Sequence, residues 1–512
     1  MVISGLSVLA RPVAGRLHPV PLSRRPESFT TSCSRSPSGH NAYNRGGGRG
    51  LRKGQEPRWK RREGPQGPGQ PGNSEGRRPF RGPPGRREPV DEGREPPRPA
   101  DFFAASSFED LGASEDLIRA LSKTGVTRPS HIQAAAWNAV TASPTSAFLL
   151  ADHAGSGKTL AYLLPLVQRL KEEEQRLGLA AVTRTNSPRV LILVPTTELC
   201  RQVVGVCRRL SGAGFPLRIT GLTTSAGKDS QLAQLAAGVD VAVGTPARVA
   251  GMLEDGSLGL AALSCLVLDE VDVLLGNTTF PEQVEASLAA PGASDAGLVV
   301  VTASLPGDLH DALLRRWPGL RAVTGPGLHR PAAGVEERLL DCSGGEEVSE
   351  ESGFARKADA LARLLAGSRA ARTIVFCNKV EGCRAVENFL KRRERAGGAR
   401  VLPYHTAIAP PLRKANLRAF LAAPGGGEGE VPLVLLATDR ASRGIDSGLA
   451  EHVVLFDFPR DPSEYIRRVG RTGRGPGGTG LVSVLVLGRQ VKLAQAIMNR
   501  NRKGFPLYDI PA

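Results

Sequence analysis

Nowhere in its 512 residues does the sequence approach the roughly eighteen consecutive apolar residues that a membrane-spanning helix requires, so no membrane is expected as a partner. Cysteine is also scarce. Cys33, Cys200, Cys207, Cys265, Cys342, Cys377 and Cys383 are scattered without paired metal-ligand spacing, which points to reduced, mostly buried thiols in a non-oxidising compartment. Acidic side chains are almost missing at the start: residues 1–40 hold Arg11, Arg16, Arg24, Arg25 and Arg35, many Ser, Thr and Ala, and Glu27 alone as an acid. A continuous hydrophobic region of secretory type is absent too, because Arg11 interrupts the candidate run from Val2 to Ala10. What is left is the composition of an organelle transit peptide, for a plastid in preference to a mitochondrion. A disordered basic tail is the alternative.

The formal net charge of +17 is unevenly spread. Residues 1–100 carry 20 Lys/Arg against 8 Asp/Glu, whereas the other 412 residues carry 47 against 42. Such a tail suits a polyanion, nucleic acid first, while any RNA grip in the near-neutral remainder must come from local patches. Residues 41–100 contain 13 Gly and 11 Pro with Arg-Gly pieces. They bury too little apolar surface to offset their ordering entropy and are expected to be disordered. Their arginines could hold phosphates while Tyr43, Trp59 and Phe80 stack on bases; a plain solubilising linker is the alternative.

From Asp101 onward, short apolar runs alternate with amphipathic segments, the pattern of an α/β protein whose parallel strands are covered by helices on both faces. Residues 101–325 read as one such domain. Gly325–Pro–Gly327 marks a boundary, 326–353 a linker and the start of the next domain, and 354–490 a second alternation. Residues 491–512 read as a short basic helix and tail.

The stretch Ala151–Asp–His–Ala–Gly–Ser–Gly–Lys–Thr159 lies between an apolar run and a helical pattern. Gly155 and Gly157 let the backbone curl around Ser156 and aim N–H groups at one anion, beside a positive helix N-terminus. Lys158 would reach the β/γ-phosphates and Thr159 would place a hydroxyl on Mg²⁺. Taken alone, a bland glycine turn is the alternative. About 110 residues on, Leu266–Val–Leu268 delivers Asp269–Glu–Val–Asp272, where Asp269 would hold Mg²⁺ and Glu270 would polarise an attacking water. Hydrolysis also needs cations against the γ-phosphate. Arg468, Arg471 and Arg474, spaced by Gly470 and Gly473, are the candidates from the second domain.

These motifs, in this order, resemble the DEAD-box RNA helicases of helicase superfamily 2, over roughly residues 104–490. The resemblance implies two tandem RecA-like domains, ATP and Mg²⁺ as cofactors, RNA as partner with little sequence choice, and a monomer. Phe108, Gly125, Arg128, Pro129 and Gln133 match the adenine-reading motif, and Thr302–Ala–Ser304 the box that couples hydrolysis to strand separation. RNA contacts are implied for Pro195, Thr196, Gly221, Thr245, Pro246 and Arg248 in the first domain, and for Arg413, Thr438 and Arg440 in the second. Asp446 would face the nucleotide ribose.

The departures bear on whether this copy works. Asp152 puts a carboxylate beside the phosphate loop, where capping a backbone N–H would make it harmless. Val271 replaces Ala, Pro410 the Gln before Arg413, and Leu222 the second of a Gly pair. Arg467 stands where the family has the His that communicates with the acid box and the coupling box. Asp-Glu-Val-Asp and Gly325–Pro–Gly–Leu–His329 resemble the plant organellar branch, which implies work on organelle rRNA, ribosome assembly or introns, with RNP proteins as partners. An RNA clamp with weak unwinding is the alternative; a DNA-directed enzyme is a more distant one. Without ligand or partner the two domains are not expected to be held closed.

Overall fold

The structure, a computed structural model, describes residues 102–276, 280–344, 349–394, 398–422, 431–439 and 450–507. The transit and Gly/Pro-rich expectations for residues 1–100, together with Arg440 and Asp446, lie outside the described residues.

The first domain is a seven-stranded sheet of β1 (Ala147–Ala151), β2 (Val190–Leu193), β3 (Ile219–Leu222), β4 (Val241–Gly244), β5 (Cys265–Leu268), β6 (Gly297–Thr302) and β7 (Arg321–Thr324), ordered β3-β4-β2-β5-β6-β1-β7. The second is six-stranded: β8 (Val335–Asp341), β9 (Arg372–Phe376), β10 (Arg400–Tyr404), β11 (Leu433–Ala437), β12 (His452–Leu455) and β13 (Gly480–Val486), ordered β10-β11-β9-β12-β13-β8. The strand pairs in both sheets are parallel, as the two-sided apolar runs require. Alternate residues feed opposite faces. Phe148, Leu150, Val190 and Ile192 enter one core, while Leu149, Ala151, Leu191 and Leu193 enter the other. The second sheet divides in the same way between Ile374 and Phe376 on one side and Val375 on the other.

Two edge strands lie where the sequence pattern did not place them. β7 is largely exposed and pairs with β1. β8 falls in the stretch read as linker and start of the second domain, where no strand is expected, and runs in register with β13 from Val335↔Gly480 to Asp341↔Val486. Helices Phe280–Ala289 and Gly307–Arg316 were likewise not anticipated. Cys200, Cys207, Cys265, Cys342, Cys377 and Cys383 are free and buried, and no helix among the described residues is long and apolar enough to cross a membrane.

Candidate functional site

The phosphate loop and the acid box each follow the C-terminal end of a strand, the edge at which open α/β sheets bind ligands, whereas the adenine-reading motif precedes the first strand. After β1 the chain turns through Gly155 (φ +88°) and Gly157 (φ +91°) into the helix Lys158–Leu177. Both glycines are needed there for space as well as for backbone angle. A Cβ on Gly157 would stand 2.3 Å from Gln133 Nε2, and one on Gly155 2.9 Å from Arg474 Cγ. Gln133 begins the helix His131–Ala142 and bolts it to the loop. Its Oε1 accepts from Ser130 N at 2.9 Å and its Nε2 donates to the Gly157 carbonyl at 3.2 Å. Ser130 Oγ donates to the Ser156 carbonyl at 2.8 Å. Phe108 packs fully into the core. Arg128 donates to the Ala104 carbonyl and lies 5.2 Å over the Phe103 ring. In this arrangement the Gln133 amide is therefore engaged by protein groups.

Lys158 Nζ donates to the carbonyls of Asp152 at 2.8 Å and His153 at 2.7 Å. Burial pushes its ammonium pKa down, while the carboxylates of Asp152 and Asp269 act against that push. Thr159 follows on the same helical turn. One turn on, Tyr162 donates from its hydroxyl to Asp269 Oδ2 at 3.0 Å, while Glu270 N donates to Asp269 Oδ1 at 2.9 Å. Burial raises the Asp269 carboxyl above its ordinary value, against the lowering pull of Tyr162 and Lys158. Glu270 has φ +53°, a left-handed conformation rare for a residue with a side chain, so the acid box is a strained turn.

The second domain brings its arginines onto this loop. Gly470 sits so close that an added Cβ would meet Ala154 Cβ at 2.7 Å. Arg474 Nε donates to the Gly470 carbonyl at 2.7 Å. Arg471 is 8% exposed, and burial, helped by Arg474, brings its pKa down to about 10, so it stays charged at neutral pH. Arg467 and Asp272 pair across the cleft at 3.2 Å, and Asp272 Oδ1 lies 3.2 Å from Thr302 Oγ1. Thr302 Oγ1 in turn donates to the Ser304 carbonyl at 2.7 Å. The three coupling residues thus form one chain through Asp272. Arg467 supplies an ionic contact between the two domains that involves no ligand atom.

Arg468 lies elsewhere than the expected nucleotide contact. It is 1% exposed and points into its own domain. It donates to both carboxylate oxygens of Asp439, to the Asp457 carbonyl at 2.8 Å and to Asn378 Oδ1 at 2.6 Å.

The residues expected at RNA gather on neighbouring strand ends. Pro195 and Thr196 follow β2, Thr245, Pro246 and Arg248 follow β4, and Gly221 sits in β3 beside it. Thr196 Oγ1 accepts from Leu199 N at 3.2 Å, capping its helix, and Arg248 Nε donates to Gln231 Oε1 at 3.1 Å. In the second domain Arg413 follows β10 and Thr438 follows the adjacent β11. Sequence reasoning missed Tyr162, although its position one turn after Lys158 puts it on the same helix face. It also gave Asp272 no role, and no local pattern announces one.

The donor set fits a nucleotide phosphate. Ser156 Oγ and Ser304 Oγ are buried without a hydrogen-bond partner, and Ser156 lies in the glycine turn just ahead of a helix N-terminus. Among the described residues no group of three or more His, Cys, Asp or Glu is arranged to hold a metal alone. A Mg²⁺ here would be shared with phosphate oxygens.

Fold and site together define a two-domain α/β protein of the helicase type. The family description "DEAD/DEAH box helicase" matches residues 130–312 and "Helicase conserved C-terminal domain" matches residues 356–476. The chain belongs to the DEAD-box family. It is 43% identical over 417 residues to DEAD-box ATP-dependent RNA helicase 50 of Arabidopsis thaliana, across 81% of this chain and 52% of that protein. It is 44% identical over 418 residues to the protein of the same name in Oryza sativa subsp. japonica, across 81% of this chain and 64% of that one. The chain thus spans half to two thirds of these relatives. In fold it is similar to S. cerevisiae Dbp5 bound to RNA and ADP BeF3, with TM-score 0.63 and 23% identity over 78% of this chain and 94% of that chain.

Proposed function

We propose that the protein is an RNA-stimulated ATPase that opens short RNA duplexes or remodels RNPs by closing its two domains over a strand. The observation that carries this is the convergence of Lys158, Asp269 and Glu270 from one domain with Arg471 and Arg474 from the other at a single phosphate loop. Lys158, Thr159, Ser156 and the loop N–H groups would hold the phosphates, with Mg²⁺ between them and Asp269, supplying charge neutralisation at the transferred group. Glu270 would take a proton from water, and Arg471 and Arg474 would balance the charge that develops. Phe108, Arg128 and Gln133 would frame the base. Thr196, Thr245, Arg248, Arg413, Thr438 and Arg440 would hold the sugar-phosphate backbone without reading bases. Asp446 would face the ribose.

A plastid location, with rRNA or intron maturation as the process and ribosome-assembly proteins as partners, is the finer reading. The acid-poor, Arg- and Ser-rich residues 1–40 and the plant relatives support it. The clamp alternative is favoured by one observation, the Arg467–Asp272 pair that bridges the cleft. Steady-state ATPase of the full chain, with and without structured RNA and with Glu270→Gln as control, tests the main reading. Stimulation abolished by the substitution supports it. ATP binding without stimulated turnover sinks it in favour of the clamp. Import of a fluorescent fusion of residues 1–40 into isolated plastids and mitochondria tests the location.

A further inference from the structure

The first residue of the phosphate loop and the segment that leaves the first domain are built for one another. Asp152 is 2% exposed. Its Oδ1 accepts from His153 N at 2.8 Å and from Gly327 N at 3.1 Å, and lies 3.1 Å from His153 Nδ1. A Cβ on Gly325 would stand 2.1 Å from Asp152 Oδ2, and one on Gly327 2.1 Å from His153 Nδ1. The two glycines of Gly325–Pro–Gly327 are thus the counterpart of this carboxylate and this ring. Gly325 N also donates to the Ala151 carbonyl at 2.8 Å, continuing the β1–β7 pairing into the linker.

The same segment reaches the other working parts. His329, fully buried with φ +62°, accepts at Nε2 from Leu305 N at 2.9 Å, directly after the coupling box. Its carbonyl accepts from Leu507 N at 2.9 Å, at the far end of the second domain. At the other end of the contact, the carbonyls that hold Lys158 are those of Asp152 and His153, the two residues that grip the linker. Burial would raise the Asp152 carboxyl, but the His153 hydrogen bond and charge, and then Lys158, bring it below its ordinary value, so the linker N–H meets an ionised acceptor.

We propose that Asp152 is a positioning residue that pins the phosphate loop to the linker 325–329, so that withdrawal of Lys158 from the Asp152 and His153 carbonyls onto a phosphate is transmitted to the linker and to domain closure. This rests on the ATPase reading for its functional half and on geometry alone for the pin. A carboxylate serving only to fill space would leave the linker amide and the turnover step independent of one another.

The test uses the full chain as wild type, Asp152→Ala, Asp152→Asn, Gly327→Ala and the Asp152→Ala/Gly327→Ala double variant. Amide exchange of the peptide spanning 325–329 is measured without nucleotide, and kcat and KM for ATP with saturating RNA. Removing a hydrogen bond to a charged acceptor is expected to speed linker exchange about tenfold or more. RNA-stimulated kcat falls by a similar factor, whereas KM changes little. Asp152→Asn, which keeps an acceptor oxygen, restores most of both. The two single effects are not additive in the double variant, as for groups in contact. Emptying a buried acceptor also costs stability, so Asp152→Asn and Gly327→Ala keep the experiment decidable if Asp152→Ala folds poorly. Unchanged linker exchange in Asp152→Ala and Gly327→Ala, or additive effects on kcat, overturns the pin in an active protein. A wild type without ATPase whose linker exchange still responds overturns the proposed function and upholds the pin.

Discussion

Replacing Arg467 by Ala is expected to open the cleft. Its guanidinium lies 3.2 Å from Asp272 Oδ2, with side-chain exposures of 22% for Arg467 and 10% for Asp272, so the pair is neither solvated nor fully buried. Exposed pairs contribute up to about 1 kcal/mol and breaking a buried one costs about 3–5 kcal/mol. The intermediate exposure of this pair places the loss at about 1.5–2.5 kcal/mol. That corresponds to a drop of about 10- to 70-fold in the ratio of closed to open molecules. Single-molecule energy transfer between dyes on the two domains, without nucleotide or RNA, reads this ratio directly. Arg467→His is expected to fall between wild type and Arg467→Ala, and raised salt to weaken the wild-type pair. An unchanged closed population in Arg467→Ala, or additive effects of Arg467→Ala and Asp272→Ala, would refute the reasoning.

Other substitutions test separate parts of the site. Arg468→Ala takes the guanidinium from Asn378 and from Asp439, whose side chain is 16% exposed, and is expected to cost about 2–4 kcal/mol, lowering the melting temperature of the second domain by about 5–10 °C in calorimetry; a shift under about 3 °C would contradict a bracing role. Gly157→Ala drives a methyl onto the Gln133 amide at φ +91° and should abolish binding of a fluorescent ATP analogue. Gly112→Ala, at φ +81° with open space around it, should leave that binding intact. His452, buried against Ser483 Oγ, has its pKa lowered to about 4, chiefly by burial. The unfolded chain therefore takes up this proton first as pH falls. The stability it contributes is full above the ordinary imidazole value of about 6.5 and is lost between there and pH 4, at up to about 1.4 kcal/mol per pH unit. Urea titrations of His452→Gln across that window should show a shallower slope than wild type, and equal slopes would count against it.

The phosphate loop and acid box were legible because their chemistry is local: glycines, one lysine and two carboxylates fix the turn and its charge within a few residues. The interior strands were legible because burial on both faces leaves a continuous apolar run. β8 was not, since Val335–Glu–Glu–Arg–Leu–Leu–Asp341 is an edge strand with one wet face and its pairing with β13 spans more than 140 residues. Arg468 was misplaced because spacing cannot tell an arginine facing a cleft from its neighbour facing inward; only Asp439 and Asn378, far along the chain, decide that. The Arg467–Asp272 contact was not anticipated either. A substituted side chain reveals its strength only when the carboxylate opposite it, Asp272, is known.

The double engagement of Gln133 has a consequence for selectivity. Its amide closes the first turn of its own helix and also holds the Gly157 carbonyl, so helix and phosphate loop move as one body. A base that approaches this amide meets a second N–H and a second lone pair already aimed by the helix and the loop, and a phosphate that reshapes the loop must disturb that aim. The two ends of a nucleotide are then not weighed separately. A bare polyphosphate gains nothing from the amide, and a nucleoside without phosphates gains nothing from the loop. Discrimination would come from weighing both ends together, through one side chain.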